Sequence, residues 1–348
     1  MNNAIVDKFF KRGRDFLGTH YPVMCGAMTW VSEPKLVSGV SNAGGFGCLA
    51  GGNTPIDILR GQIEQTRRLT DKPFAVNLIT IAPLYKEHLA LVKEMDVPFI
   101  IFAGSFPREK EIRIAKQSGA KVLTFASTQS IAERMIGYGV DGLILEGMEA
   151  GGHVGHVTLT ILLQQVLFNF DQVPIFVAGG LASGRMCAHL LLMGAAGVQF
   201  GTRFAVATES IAHKKFKERF IKANARDAVS TPQIDSRLPV VAVRALRNRG
   251  HADFSKLQME LLKRLESGSI GRVEAQLEVE SYWVGALRRA VMDGDTDYGS
   301  LMAGQSVGLI TKEQSIQEIV DEVVGDIGKE FNKIHASLHL EGMPVETF

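Results

Sequence analysis

Within EGMEAGGHVGHVT (146–158), two imidazoles, His153 and His156, stand three residues apart among glycines. Imidazole is the side chain best matched to proton transfer near neutral pH, and flanking glycines let the backbone fold tightly enough to hold it over a flat ring. His153, directly after Gly151 and Gly152, is the candidate catalytic group; His156 points elsewhere in the turn and is the lesser candidate. His189, in the apolar stretch AHLLLMG, reads as a satisfied core or interface residue. Two further glycine sites, AGG (178–180) and GTRF (201–204), each close an apolar run. Amides freed by glycine can approach phosphate oxygens closely, and Thr202 adds a hydroxyl donor. Asn77 lies inside AVNLI, where a buried amide needs hydrogen-bond partners, and Glu146 ends another such run. Cys25, Cys48 and Cys187 are widely spaced with no CxxC pair, so they read as reduced thiols rather than as a disulfide framework or a zinc site.

These residues fall at the ends of eight short apolar runs. The runs are YPVMCGA (21–27), GFGCLAGG (45–52), PFAVNLI (73–79), VPFIIFAG (97–104), AKVLTFAS (120–127), VDGLILEG (140–147), VPIFVAGG (173–180) and AGVQFGTRF (196–204). Amphipathic stretches such as TPIDILRGQIEQTRRL and SGRMCAHLLLMG separate them. Continuous apolar strands alternating with helices denote a parallel sheet buried on both faces. Eight of them, roughly 20 to 30 residues apart, predict an α/β fold of the closed (β/α)8 TIM barrel kind over residues 1–215; an open doubly wound sheet fits less well. In such a barrel, chemistry collects where strands turn into helices, and the loops after strands seven and eight are the usual phosphate site. The rhythm stops near residue 215. Residues 216–297 show helical periodicity and no buried-strand signature, which predicts a smaller helical domain that acts as a substrate lid. Residues 298–348 then return to the barrel as an amphipathic helix. Tyr282 and Trp283 are expected on an exposed face of the helical domain, where they either support a homodimer or cover the cofactor. The basic run 214–217 reads as a solvated helix face.

Composition narrows the function. The chain has 348 residues, 46% hydrophobic and 22% charged, as an ordinary globular enzyme does. A net charge of +1 offers no field that would recruit nucleic acid or an anionic membrane. No apolar run suits a signal peptide or a membrane span, so the expected location is the cytoplasm. The strand-end residues together suit a phosphorylated planar heterocycle, with phosphate at strands seven and eight and the ring across strands one, three and six. Flavin mononucleotide (FMN) fits best because no GxGxxG dinucleotide fingerprint is present; NAD(P) or a nucleotide bound in another mode is compatible with the same positions. In CGAMTW, Met28 either covers a ring face or, with Trp30, belongs to the core.

The phrases SNAGGFG, LTDKPFAVNL, EGMEAGGHVG, VAGG and GTRF stand in an order and spacing that extend the likeness over nearly the whole chain. The sequence resembles the FMN-dependent family that contains nitronate monooxygenases and the flavin-dependent enoyl-ACP reductase. The resemblance implies that FMN is held by Ala27, Met28, Asn77, Glu146, Gly179, Gly180, Gly201 and Thr202, with Gly151, Gly152, Ala178 and Gln199 beside them. It also implies that His153, in the family's AGGHxG motif, is the catalytic residue. Nitronate monooxygenase, oxidising alkyl nitronates with O2, is the first expectation. The NAD(P)H-dependent enoyl-ACP reductase of fatty-acid synthesis is the alternative, and the segments EGMEAGGHVG, AVRALRN and DGDTDYGSLMAGQ look closer to it. The reductase reading adds NAD(P)H and acyl carrier protein as partners, with Lys214, Lys215 and Lys217 as a basic surface for the acidic carrier. Strand one departs from both patterns, since Cys25 stands where members commonly have glutamine and no proline occurs at Gly26 or Ala27. A flavin-free barrel of the inosinate-dehydrogenase type shares the phosphate loops but needs a nucleophilic cysteine on a mobile loop, and none of the three cysteines has that setting. A binding protein that keeps flavin without turnover is the third class.

Overall fold

Each of the eight apolar runs becomes a strand of one parallel sheet: β1 (Val23–Cys25), β2 (Gly47–Ala50), β3 (Phe74–Ile79), β4 (Phe99–Ala103), β5 (Lys121–Ala126), β6 (Gly142–Glu146), β7 (Ile175–Ala178) and β8 (Gly197–Phe200). The computed structural model describes residues 4–52, 54–238 and 242–337. Every strand from β2 to β8 pairs with its sequence neighbour, and β8 returns to β1 with Met24 opposite Gln199. Closure between β1 and β2 rests on the bridge Met24–Phe46, where the Cys25 N–H donates to Phe46 O at 2.9 Å and the Phe46 N–H to Val23 O at 2.8 Å. The chain thus forms a (β/α)8 TIM barrel.

Strand parity decides what lies inside. Met24, Phe46, Ala75, Phe99, Ile101, Leu123, Ile144 and Phe176 fill the barrel interior as one apolar cluster. The opposite faces of the same strands pack on the surrounding helices in a larger cluster. The helix Ala4–Leu17 plugs the bottom: Leu17 joins the interior, and the Phe16 ring lies 5.9 Å from those of Phe99 and Phe176. Lys121 completes the floor, its ammonium 4.8 Å above the Phe16 ring and donating to Phe16 O. With the floor sealed by apolar groups, inward-facing polar side chains are left for the mouth.

The helix Ile316–Ser337 packs on Gly184–Leu192, on the N-terminal helix and on Pro34–Asn42. Close approach requires Gly184, where a Cβ would sit 2.2 Å from Val323 O. Of the expected C-terminal segment 298–348, residues 338–348 lie outside those described. His189 lies on this seam, as an exposed group rather than a core one. Its Nε2 stands 3.1 Å from Glu330, which also takes Arg185 Nε at 3.0 Å.

The stretch after the barrel is not purely helical. Ala228–Ser230 and Val243–Leu246 form an antiparallel pair, and Val243–Leu246 pairs in turn with Gly152–His153, placing Val243 opposite His153. Strands this short show no alternation to read; distant partners define them. The helices Arg249–Glu266 and Arg272–Asp293 pack their own small core of Phe254, Leu261, Ala275, Val279 and Trp283 around Leu238 and Val243. Trp283 is therefore buried and Tyr282 half-buried, its hydroxyl donating to Gly250 O at 2.8 Å, so neither offers the exposed surface expected for a dimer. Lys217 also departs from expectation. It is buried, donating to Ala207 O at 2.7 Å and paired with Glu313 at 3.0 Å, which leaves only Lys214 and Lys215 of that run on the surface. Among the described residues no helix is long and apolar enough to cross a membrane.

Candidate active site

A cavity of about 420 Å³ opens at the C-terminal ends of the strands, within the usual range for small-molecule sites. His153 and all twelve positions expected to hold the cofactor line it: Ala27, Met28, Asn77, Glu146, Gly151, Gly152, Ala178, Gly179, Gly180, Gln199, Gly201 and Thr202. His156 is exposed and outside the lining.

At the end of β7, Ala178 is followed by Gly179 and Gly180 with φ of +86° and +74°, a left-handed pair that turns the chain across the mouth. The turn is close-packed: a Cβ on Gly179 would lie 2.7 Å from Gly147 O and 2.8 Å from Gly147 N. Beyond β8, Gly201 leads into the short helix Thr202–Ala205. Among the described residues the N–H groups of Gly179, Gly180, Gly201 and Thr202 have no carbonyl acceptor, which leaves them available to an anion. Thr202 Oγ1, itself buried, accepts from the Gly304 N–H at 3.0 Å, and its own proton remains free to donate.

Three inward-facing polar side chains surround the rest of the mouth. Asn77 on β3 donates from Nδ2 to Ile101 O at 3.0 Å, a backbone partner for half of its amide; among the described residues its Oδ1 has no donor. Gln199 on β8 lies against Gly26, where a Cβ would come within 3.0 Å of Nε2. The carboxyl of Glu146, at the tip of β6, has no hydrogen-bond partner among the described residues, and burial pushes it up to about 8. Unfilled donors and acceptors in a partly apolar cleft suit a flat heterocycle with polar atoms on its edge, and the glycine turns suit its phosphate. The residues present therefore fit FMN. Cys48 also lines the cavity, but burial raises its thiol, as it raises Cys25 and Cys187 to about 12; none is a ready thiolate. On the rim, Trp30 is exposed rather than core, with φ +68°. Its Nε1 donates to Val284 O at 3.3 Å, and Arg288 sits 5.9 Å above its ring.

The His153 loop is held from several directions. The Met148 N–H donates to Val157 O at 2.9 Å, and the Glu149 carboxylate accepts from the Leu159 N–H at 3.1 Å. Gly151 must be small because a Cβ would come within 2.5 Å of the backbone at Ala303 and Gly304. Arg244, buried, donates from Nε to Met148 O at 3.1 Å and from a terminal nitrogen to Ala228 O at 2.8 Å. Burial lowers that guanidinium and the Glu149 carboxylate opposes the shift. His153 itself points Nε2 towards Glu280 Oε2 of the Arg272–Asp293 helix at 3.4 Å, near enough for an ion pair but not aligned as a hydrogen bond; this nitrogen is sealed from solvent. Neither Arg244 nor Glu280 was identifiable as a site residue from local pattern. The nearest signal was the family-like wording of AVRALRN and SLMAGQ, the two segments that grip the loop.

Residues 11–90 and 79–326 match the family described as nitronate monooxygenase. An octahydro-indene carboxyl-CoA dehydrogenase of Mycobacterium tuberculosis is 31% identical over 338 residues, covering 90% of this chain and 94% of that protein. A probable nitronate monooxygenase of Staphylococcus aureus is 25% identical over 358 residues, covering 90% of this chain and 96% of that one. Among solved structures, FabK from Thermotoga maritima superposes with a TM-score of 0.82 and 35% identity, over 94% of this chain and 98% of that one.

Proposed function

The chain belongs to the nitronate monooxygenase family, and from that premise we propose that it is an FMN oxidoreductase whose substrate is a neutral, conjugated acyl thioester, reduced at the expense of NAD(P)H. The observation that carries this reading is the charge at the mouth. Among the described residues that line the cavity there is no lysine or arginine, and the one carboxyl, Glu146, is pushed up by burial to about 8 and so holds its proton near neutral pH. A nitronate anion would find no fixed cation there to balance its charge, whereas an uncharged enoyl group needs none. Two relatives support an acyl thioester as substrate: one above 30% identity acts, by its name, on a carboxyl-CoA, and the more identical FabK agrees with the reductase-like segments of the sequence.

The amides of Gly179, Gly180, Gly201 and Thr202 would hold the FMN phosphate, while Asn77, Glu146 and Gln199 would meet the ring edge. Bound flavin supplies hydride exchange between a nicotinamide and the thioester β-carbon. His153 holds the proton that the α-carbon takes up, at the ring nitrogen not turned to Glu280. NAD(P)H and one proton are consumed for each double bond reduced. The helical unit above the mouth keeps water from the reacting carbons.

The test is anaerobic mixing, followed by flavin absorbance. NADPH should bleach the flavin, and crotonyl-CoA or crotonyl acyl carrier protein should restore its colour, the faster of the two identifying the carrier. Oxidation of alkyl nitronates is the second reading, favoured by the family description and the Staphylococcus aureus relative. Bleaching by a nitronate, with no response to NADPH and either thioester, would overturn the thioester reading.

A further inference from the structure

We propose that Glu280 is a positioning residue for the reaction: its carboxylate fixes the Nε2–H tautomer of His153, so that Nδ1 is the nitrogen that handles the substrate proton. The inference rests on the reading of His153 as the proton-handling group. It starts from an unsatisfied pair. Buried polar nitrogens are nearly always hydrogen-bonded, yet His153 Nε2 is sealed from solvent with no aligned partner. The atom facing it is Glu280 Oε2 at 3.4 Å, and the Glu280 side chain is only 18% exposed. Among the described residues, Glu280 has no other ion pair or side-chain hydrogen bond, so His153 is its polar partner. A small rotation of the ring brings Nε2–H onto the carboxylate. Nδ1 is not sealed in this way, and His153 lines the cavity, an arrangement shared with acid–base sites where one ring nitrogen is anchored by a carboxylate and the other works.

Backbone geometry makes the pair specific. His153 is fixed in register opposite Val243, and the Val154 N–H donates to Ala242 O at 2.9 Å. Glu280 follows Val279 and precedes Trp283 by three residues, both buried in the core that also contains Val243. The strand that pins His153 and the helix that carries Glu280 thus share one packed core, which fixes imidazole and carboxylate relative to each other. When Nδ1 takes up a proton, the carboxylate stabilises the resulting cation; when Nδ1 gives it up, the same carboxylate restores the starting tautomer.

The experiment uses nitrogen-15 histidine-labelled full-length protein at about pH 9, well above the ordinary histidine value of about 6.5. His153→Ala assigns the resonance. The expected spectrum shows the Nε2–H tautomer in the parent and a mixture of tautomers in Glu280→Ala. In turnover, positioned acid–base groups contribute about 10²–10⁴-fold. Glu280→Gln should therefore lower kcat about ten- to a hundredfold, with KM held within about twofold, and Glu280→Asp should recover part of the loss. An identical tautomer in parent and Glu280→Ala would overturn the pairing. A shifted tautomer with unchanged kcat, on whichever of thioester or nitronate the parent turns over, would overturn the positioning role. Because the tautomer is read on resting protein, a parent inactive on thioesters would reject the substrate assignment alone and leave the pair to be judged by its spectrum.

Discussion

Replacing Gly179 with alanine tests the glycine turn at the mouth. Two costs are separable there. At φ +86° a Cβ enters the left-handed region, which disfavours an L residue by about 1–2 kcal/mol. The new Cβ would also lie 2.7 Å and 2.8 Å from the O and N of Gly147, backbone atoms that cannot rotate away. Overpacking of this kind costs about 1–3 kcal/mol, so Gly179→Ala should lose about 2–5 kcal/mol in total. Gly119 provides the control: its φ is +80°, but nothing lies within 4 Å of a Cβ, so Gly119→Ala should show the conformational cost alone. Urea unfolding of the flavin-free proteins measures both. Gly147 leads from Glu146 into the His153 loop, so displacing it also disturbs the cradle, and flavin affinity, read by fluorescence quenching, should fall at least about tenfold in Gly179→Ala, a loss of about 1.4 kcal/mol, and stay unchanged in Gly119→Ala. Equal destabilisation of the two variants, with flavin binding intact in both, would refute the steric reasoning.

Thr202→Val keeps the shape but leaves the buried Gly304 N–H without its acceptor, and should cost about 1–3 kcal/mol in unfolding measurements, with Thr202→Ser close to the parent. Flavin should bind more weakly to Thr202→Val than to Thr202→Ser. Glu146, with a folded value of about 8 against an ordinary 4.5, holds a proton in the native state that the unfolded chain releases between those values. Its contribution to stability is therefore present below about pH 4.5 and is lost as the pH rises through 8. In the flavin-free protein, Glu146→Gln should flatten that decline; a denaturation profile as steep as the parent's would count against the buried carboxyl.

The barrel was legible because a parallel sheet covered on both faces demands long apolar runs, and FAVNLI, FIIFA and GLILE are such runs, carrying Asn77, Ala103 and Glu146 at or near their mouth ends. The glycines after β7 and β8 were legible for a related reason, since tight turns at strand ends leave few alternatives. What escaped was everything fixed by distant partners. Val243–Leu246 is four residues long and earns its strand character from Gly152–His153, about ninety residues earlier in the chain. Glu280 is one carboxylate among several on its helix, and nothing in EVESYW singles out the one that meets an imidazole. Lys217 reads as a solvated charge until the fold brings Ala207 O, Thr208 O and Glu313 around it. Trp283 reads as exposed until the two helices behind β8 prove to have a core of their own.

The two sides of the mouth are made of different material, and that has a consequence for how such a protein can change. On the barrel side the surface offered at β7 and β8 is main chain, which no substitution removes without rebuilding the turn. On the opposite side Glu280 and the strand that pins His153 belong to a separately packed unit, joined to the barrel by a short sheet and the stretch through Gly304. On the reading proposed above, substitutions on the second side should redirect which molecule is admitted while the first remains intact. Residues 225–305 are accordingly the segment to exchange between relatives when a new specificity is sought, with the rest of the chain kept as a fixed socket.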